Sequence, residues 1–109
     1  MGIERHGAVT AKMPCPDPRR RLAASGEAAA RVRSGHFSRD GAMPLNTHGG
    51  LLSYGHCGVG GAMAHLVEAH LQMTGRAASR QVRDASIALL HGDGGVLSSH
   101  VTMFLERVR

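Results

Sequence analysis

The sequence runs to 109 residues, carries 13 Lys and Arg against 8 Asp and Glu, and has three aromatic residues, none of them Trp. Such a chain makes one small domain at most, with a core built from Leu, Val, Ile, Met and Ala. No apolar run approaches the roughly 20 residues of a membrane-spanning helix, the N-terminus lacks the apolar stretch of a secretory signal, and Cys15 and Cys57 set no disulfide framework, so the sequence reads as a reduced, cytoplasmic protein.

In chain order, residues 1–21 hold every proline except Pro44 and the triplet Arg19, Arg20, Arg21, without hydrophobic periodicity, and read as loop or disorder. Residues 22–32, "LAASGEAAARV", predict a short Ala-rich helix interrupted at Gly26 that buries little, and "RSGHFSRDGAMP" is a turn-rich connector. Residues 1–34 therefore form a basic segment, irregular or weakly helical, and 35–109 the folded part. The charge follows this division. Residues 1–41 hold eight Lys and Arg against four acids, or +4, and residues 42–109 five against four, or +1. No aromatics are interleaved with the N-terminal arginines to stack bases, and no helix-turn-helix or zinc-finger spacing occurs, so charge alone speaks for nucleic acid.

From Met43 the character changes. "MPLNT" predicts a short extended approach to a glycine-rich loop over 49–61, followed by a helix whose Met63, Leu66, Val67, His70 and Leu71 fall on one face, with Gly75 as its stop. "ASIALLH" (85–91) predicts a strand covered on both faces, "GDGG" (92–95) a break, and "VLSSHVTMFLERV" (96–108) a second strand closing a hairpin. One helix and two strands make an incomplete α/β layer.

His56 lies in the glycine loop just before a helix, where free backbone N–H groups favour anions and an imidazole can act as a general base or hold a developing oxyanion. His91 ends the predicted buried strand beside a second glycine loop, another place for a catalytic side chain. The plain alternative for each is a histidine tucked against backbone carbonyls at a turn. Cys57 beside His56 has the neighbours of an activated thiol, but a small buried cysteine is the commoner use of the residue. The eight histidines are scattered without metal-ligand spacing, and neither a dinucleotide fingerprint nor a phosphate-binding loop is present.

Residues 44–61, "PLNTHGGLLSYGHCGVGG", resemble the histidine loop near the C-terminus of thiolases, N-x-x-G-G-x-x-x-x-G-H-P-x-G-x-x-G. Asn46, Gly49, Gly50, Gly55, His56, Gly58 and Gly61 match in order, with Cys57 in place of the usual Pro. "ALLHGDGGVLSSHVTMFL" resembles the closing strand–loop–strand of the family, with His91 at or near the place of the C-x-G cysteine, which is more like the lipid-transfer (sterol-carrier protein X) type. The resemblance implies an α/β fold, a partial thiolase C-terminal layer of glycine-rich loop, one amphipathic helix and two closing strands. It implies that His56 activates the acyl-carrying thiol and steadies the thioester oxyanion. By the same resemblance His91 handles the proton of the partner substrate, and the backbone of Gly94 and Gly95 shapes the substrate site. The substrate implied is a coenzyme A thioester, with no bound cofactor and no metal.

That resemblance spans residues 35–109 and does not include the loop that carries the nucleophilic cysteine. The expectation is the C-terminal part of a thiolase-like acyltransferase of acyl-CoA or lipid metabolism, inactive by itself. A non-catalytic module docking on a complete thiolase-like subunit or an acyl-carrier partner is the alternative, and a basic nucleic-acid binder the second alternative; the protein partners expected are a thiolase-like subunit or a homodimer.

Overall fold

The apolar run that follows Ser86 needs hydrogen-bond partners along both of its edges, because a buried strand cannot leave its backbone groups unpaired. In the computed structural model, which describes residues 7–11, 24–55, 60–94 and 98–108, it finds them in a three-stranded antiparallel sheet. The strands are β1 (Gly7–Ala11), β2 (Ile87–Gly94) and β3 (Ser99–Glu106), with β2 in the centre. Gly7 stands opposite His91 and Ala11 opposite Ile87. On the other side Ile87 stands opposite Glu106, His91 opposite Thr102 and Gly94 opposite Ser99.

Two expectations change here. Residues 7–11, part of the stretch read as loop, form a strand, because the open edge of β2 supplies the pairing that "GAVTA" does not announce by itself. Gly92, Asp93 and Gly94, read as a break, continue β2 and pair with Val101, His100 and Ser99. Glycine weakens a strand without forbidding it, and ladder pairing from β3 is enough to hold these residues extended.

Helix α1 (Ala28–Arg33) forms within the expected Ala-rich stretch, follows the turn at Gly26 and buries none of its residues. It ends in a Schellman motif in which Gly35 takes φ +72° and the N–H of His36 donates to the carbonyl of Arg31. A one-turn helix, α2 (Leu51–Tyr54), interrupts what reads as continuous loop. Helix α3 (Gly61–Met73) crosses the sheet and ends as predicted, with Gly75 at φ +71° and the Arg76 N–H donating to the Leu71 carbonyl.

Ala69 and Met73 of α3 pack on Ala88 and Leu90 of β2, with Val82 and Ala85 closing the cluster and Leu66 and Leu105 at its flanks. The α3 surface turned to the core is not the expected one. His65, Glu68, Ala69 and Gln72 are buried, while Met63 and Val67 are 56% and 53% exposed and His70 is exposed. A buried polar face is stable only when its groups are hydrogen-bonded, and those bonds decide the helix rotation. The result is a helix laid on an antiparallel sheet, the α/β layer expected from the sequence with one strand more than the two expected.

Candidate active site

Every described residue of the histidine-loop motif has a backbone reason for its identity. Asn46, Gly49, Gly50 and Gly55 all adopt positive φ, between +50° and +93°, the region open to Gly and, among other residues, best tolerated by Asn. At Gly49 a Cβ would also collide with the Ser53 hydroxyl. Gly61 opens α3 where a Cβ would stand 3.0 Å from Cδ2 of the buried Leu51. The motif therefore encodes a tight path that folds α2 onto the first turn of α3. His56, Gly58 and Cys57, together with Gly95, lie outside the described residues.

Beneath that path sits a buried polar knot. The Thr47 hydroxyl donates to Oε1 of Glu68 at 2.7 Å, and Gln72 Nε2 donates to the same oxygen at 2.9 Å. Gln72 Nε2 also reaches the Arg80 carbonyl at 2.8 Å and Thr47 Oγ1 at 3.3 Å, while its Oε1 accepts the Val82 N–H at 2.8 Å. Arg80 donates to Oε2 of Glu68 from Nη2 at 3.0 Å and from Nε at 3.3 Å. Glu68 is 2% exposed and Gln72 0%. Burial pushes the Glu68 carboxyl up, but hydrogen bonds from Arg80, Thr47 and Gln72 and the Arg80 charge outweigh it and hold the group below its ordinary value. The knot thus ties the approach to the loop, helix α3 and the 3-10 turn Ala78–Arg80 together.

Two further imidazoles lie against it. The rings of buried His48 and His65 are 4.8 Å apart at 51°. His48 Nδ1 accepts the Gly50 N–H at 3.1 Å, which fixes Nδ1 as the unprotonated nitrogen. Desolvation lowers the His48 pKa, and it outweighs the opposing pull of Glu68 and of a backbone hydrogen bond at Asn46. None of Thr47, His48, His65, Glu68, Gln72 or Arg80 stands out in a hydropathy reading. The usable signal is the polar recurrence at 65, 68 and 72, on the opposite side of the helix from Met63 and Val67.

His91 lies in mid-strand rather than at a strand end. Its Nδ1 is 2.9 Å from Thr102 Oγ1, and its ring stacks on His100 at 5.7 Å and 16°. An apolar cleft of about 190 Å³ opens between the first turns of α3 and the hairpin. Met63, His65 and Leu66 line it on one side, and Leu90, His91 and Met103 on the other. Gly94 is exposed at the end of β2. The structure therefore gathers Asn46, Gly49, Gly50, Gly55 and Gly61 at one place, and leaves the His91 ring with Thr102 and His100 on the sheet face opposite Leu90 and helix α3. Among the described residues, no group of three His, Cys, Asp or Glu forms a metal-sized cluster, and no helix is long and apolar enough to cross a membrane.

These residues thus build one helix on a closing hairpin, with the glycine-dependent path of 46–55 leading toward the helix start, an α/β layer. A family model described as "Thiolase C-terminal domain-like" matches residues 20–107, and the chain belongs to that family. The chain is 34% identical over 79 residues to an acetyl-CoA acetyltransferase of Methanothermobacter thermautotrophicus. That alignment takes in 70% of this chain and 21% of the relative, so the match spans about a fifth of the relative's length. No solved structure matches.

Proposed function

We propose that these 109 residues supply the activating histidine and the closing hairpin of a thiolase-like acyltransferase acting on a coenzyme A thioester. The observation that carries this reading is the positive-φ path of Asn46, Gly49, Gly50 and Gly55, because it gives a conformational reason for the spacing that the family motif shares. In this reading His56 takes the proton of an acyl-carrying cysteine and steadies the thioester oxyanion. His91 exchanges the proton of the second substrate, and the Gly94 and Gly95 backbone borders the thioester. The acyl-carrying thiol comes from outside these 109 residues, either from another stretch of a longer chain or from a separate subunit. A histidine in place of the closing-loop cysteine favours the lipid-transfer type of thiolase within the family.

The test replaces the 79-residue matching segment of the Methanothermobacter relative with the corresponding residues of this chain. The expected chimera transfers acetyl groups from acetyl-CoA, while the 109-residue chain alone, treated with acetyl-CoA, shows no acyl adduct on Cys57 by mass spectrometry. A folded chimera without transfer activity contradicts the proposal, as does an acylated Cys57. A second reading, a non-catalytic docking module, is favoured by the exposed Met63 and Val67 on α3. It predicts a chimera whose activity does not depend on His56.

A further inference from the structure

His91 and Thr102 stand directly opposite each other on β2 and β3. Opposed residues of an antiparallel pair have Cβ atoms about 4.5–5.5 Å apart, a gap that a short hydroxyl and an imidazole fill together. His91 Nδ1 and Thr102 Oγ1 meet at 2.9 Å. His100, nearer the start of β3, lays its ring over that of His91, with 5.7 Å between centroids and 16° between planes. His91 is thus held twice, at its ring edge by a hydroxyl and across its ring face by a second imidazole. The edge contact chooses between the two ring flips, since a half-turn about Cβ–Cγ brings a carbon rather than Nδ1 to Thr102. The stack opposes the rotations in between.

These contacts lie on the sheet face turned away from α3, where Thr102 and His100 are exposed and His91 is half-buried. Among the described residues Nδ1 is the hydrogen-bonded nitrogen of the ring, and Nε2 is the one left to meet an arriving group. The kind of partner at Nδ1 matters. A carbonyl or carboxylate only accepts, whereas a hydroxyl offers one donor and two acceptor sites. With Nε2 bare, the Nδ1–H donates to Thr102 Oγ1. When Nε2 takes a proton, the imidazolium keeps that bond. In the other neutral tautomer, with the proton on Nε2 alone, Thr102 turns its O–H and donates to Nδ1. Every state of the ring therefore keeps the contact, and the imidazole has no need to move between them. Threonine suits the task better than a freer side chain, because branching at Cβ restricts χ1.

We infer that Thr102 is the positioning residue of His91, a two-way hydrogen-bond partner that keeps Nε2 presented while a proton comes and goes. This rests on the proton exchange proposed above for His91. The proton on Nε2 comes from the second substrate and returns to it in the reverse direction, and Thr102 neither gains nor loses one.

Two measurements test this. Long-range 1H–15N spectra of the 109-residue chain near neutral pH read the two ring nitrogens of His91 separately. Thr102→Val is expected to shift the two signals in opposite senses, as the balance of tautomers changes, and Thr102→Ser to keep the wild-type pattern. In the acetyl-transfer chimera, Thr102→Val is expected to lower kcat/KM about tenfold, the loss of one hydrogen bond at a reacting group. The loss falls mainly on kcat, and Thr102→Ser restores it. Should Thr102→Val fail to fold, Thr102→Ala takes its place in both measurements. Unchanged His91 nitrogen signals in the valine variant overturn the inference, whatever the chimera does. So does a chimera that loses activity with His91→Ala but keeps it with Thr102→Val, or a loss that serine does not restore. A His91→Ala chimera as active as its parent removes the role proposed for His91, and the inference with it, even where the signals shift.

Discussion

Gln72 is the residue on which the described polar architecture turns. Its amide bonds the Glu68 carboxylate, the Arg80 carbonyl and the Val82 N–H, and its own carbonyl accepts from Gln81 Nε2 at 3.0 Å. Gln72→Ala strips buried groups of their partners and leaves a cavity, a loss of about 2–4 kcal/mol, read as a lowered urea midpoint by far-UV circular dichroism. A midpoint unchanged within error would mean that the knot is not closed in solution. His48 carries a pH prediction. Its folded pKa lies below the ordinary 6.5 because burial disfavours the cation. As pH falls below 6.5, the unfolded chain therefore binds a proton that the folded chain refuses, and stability drops until the folded value is passed. Glu68 adds a separate loss. Its folded pKa lies below 4.5, so stability that is present above 4.5 disappears as pH falls through the folded value. His48→Gln is expected to remove the decline that begins near 6.5 and to leave the decline below 4.5. A profile for the variant that still falls from 6.5 contradicts the assignment.

At the scale of elements, α3 shows how far periodicity reaches. The helix and its glycine stop are legible in the sequence, because apolar residues recur at helical spacing and Gly75 is free to take positive φ. Its rotation is not legible. Met63, Leu66 and Val67 outweigh Glu68 and Gln72 on any hydropathy scale, and only Thr47, Arg80 and Val82, distant in sequence, make the polar face the buried one. Val67→Lys should therefore change stability by less than about 0.5 kcal/mol, as a surface substitution does. Ala69→Leu, at a position with no exposure, should cost about 1–3 kcal/mol by overpacking. Chemical denaturation of the two variants separates the two rotations, since the hydropathy-based helix reverses the order. The hairpin is legible in the apolar run before His91 and the β-branched run after it, but the glycines at 92 and 94 suggest a turn where the chain is still paired in β2. Strand β1 carries no signal of its own, because five small residues at an edge take their conformation from β2.

At the scale of the whole molecule, the motif Asn46 to Gly61 is the part that the sequence announced and the fold explains. Its described glycines and Asn46 are backbone requirements of one path, which α2, α3 and the buried knot hold in place. The His48–His65 pair and the knot were invisible in the sequence, since polar residues distant along the chain give no pattern until α3 and the 3-10 turn bring them together. Membership of the thiolase C-terminal family rests on 20–107, and the relative's remaining four fifths lie beyond the aligned part. What this layer contributes to chemistry is therefore decided by restoring it to a complete enzyme. The measurement is kcat/KM for acetyl transfer by the chimera described above, with His56 intact and with His56→Ala. Loss of a general base predicts a fall of about 10²–10⁴-fold in the variant, with the fold retained. Equal activity of the two chimeras would contradict the account and leave these residues a structural layer only.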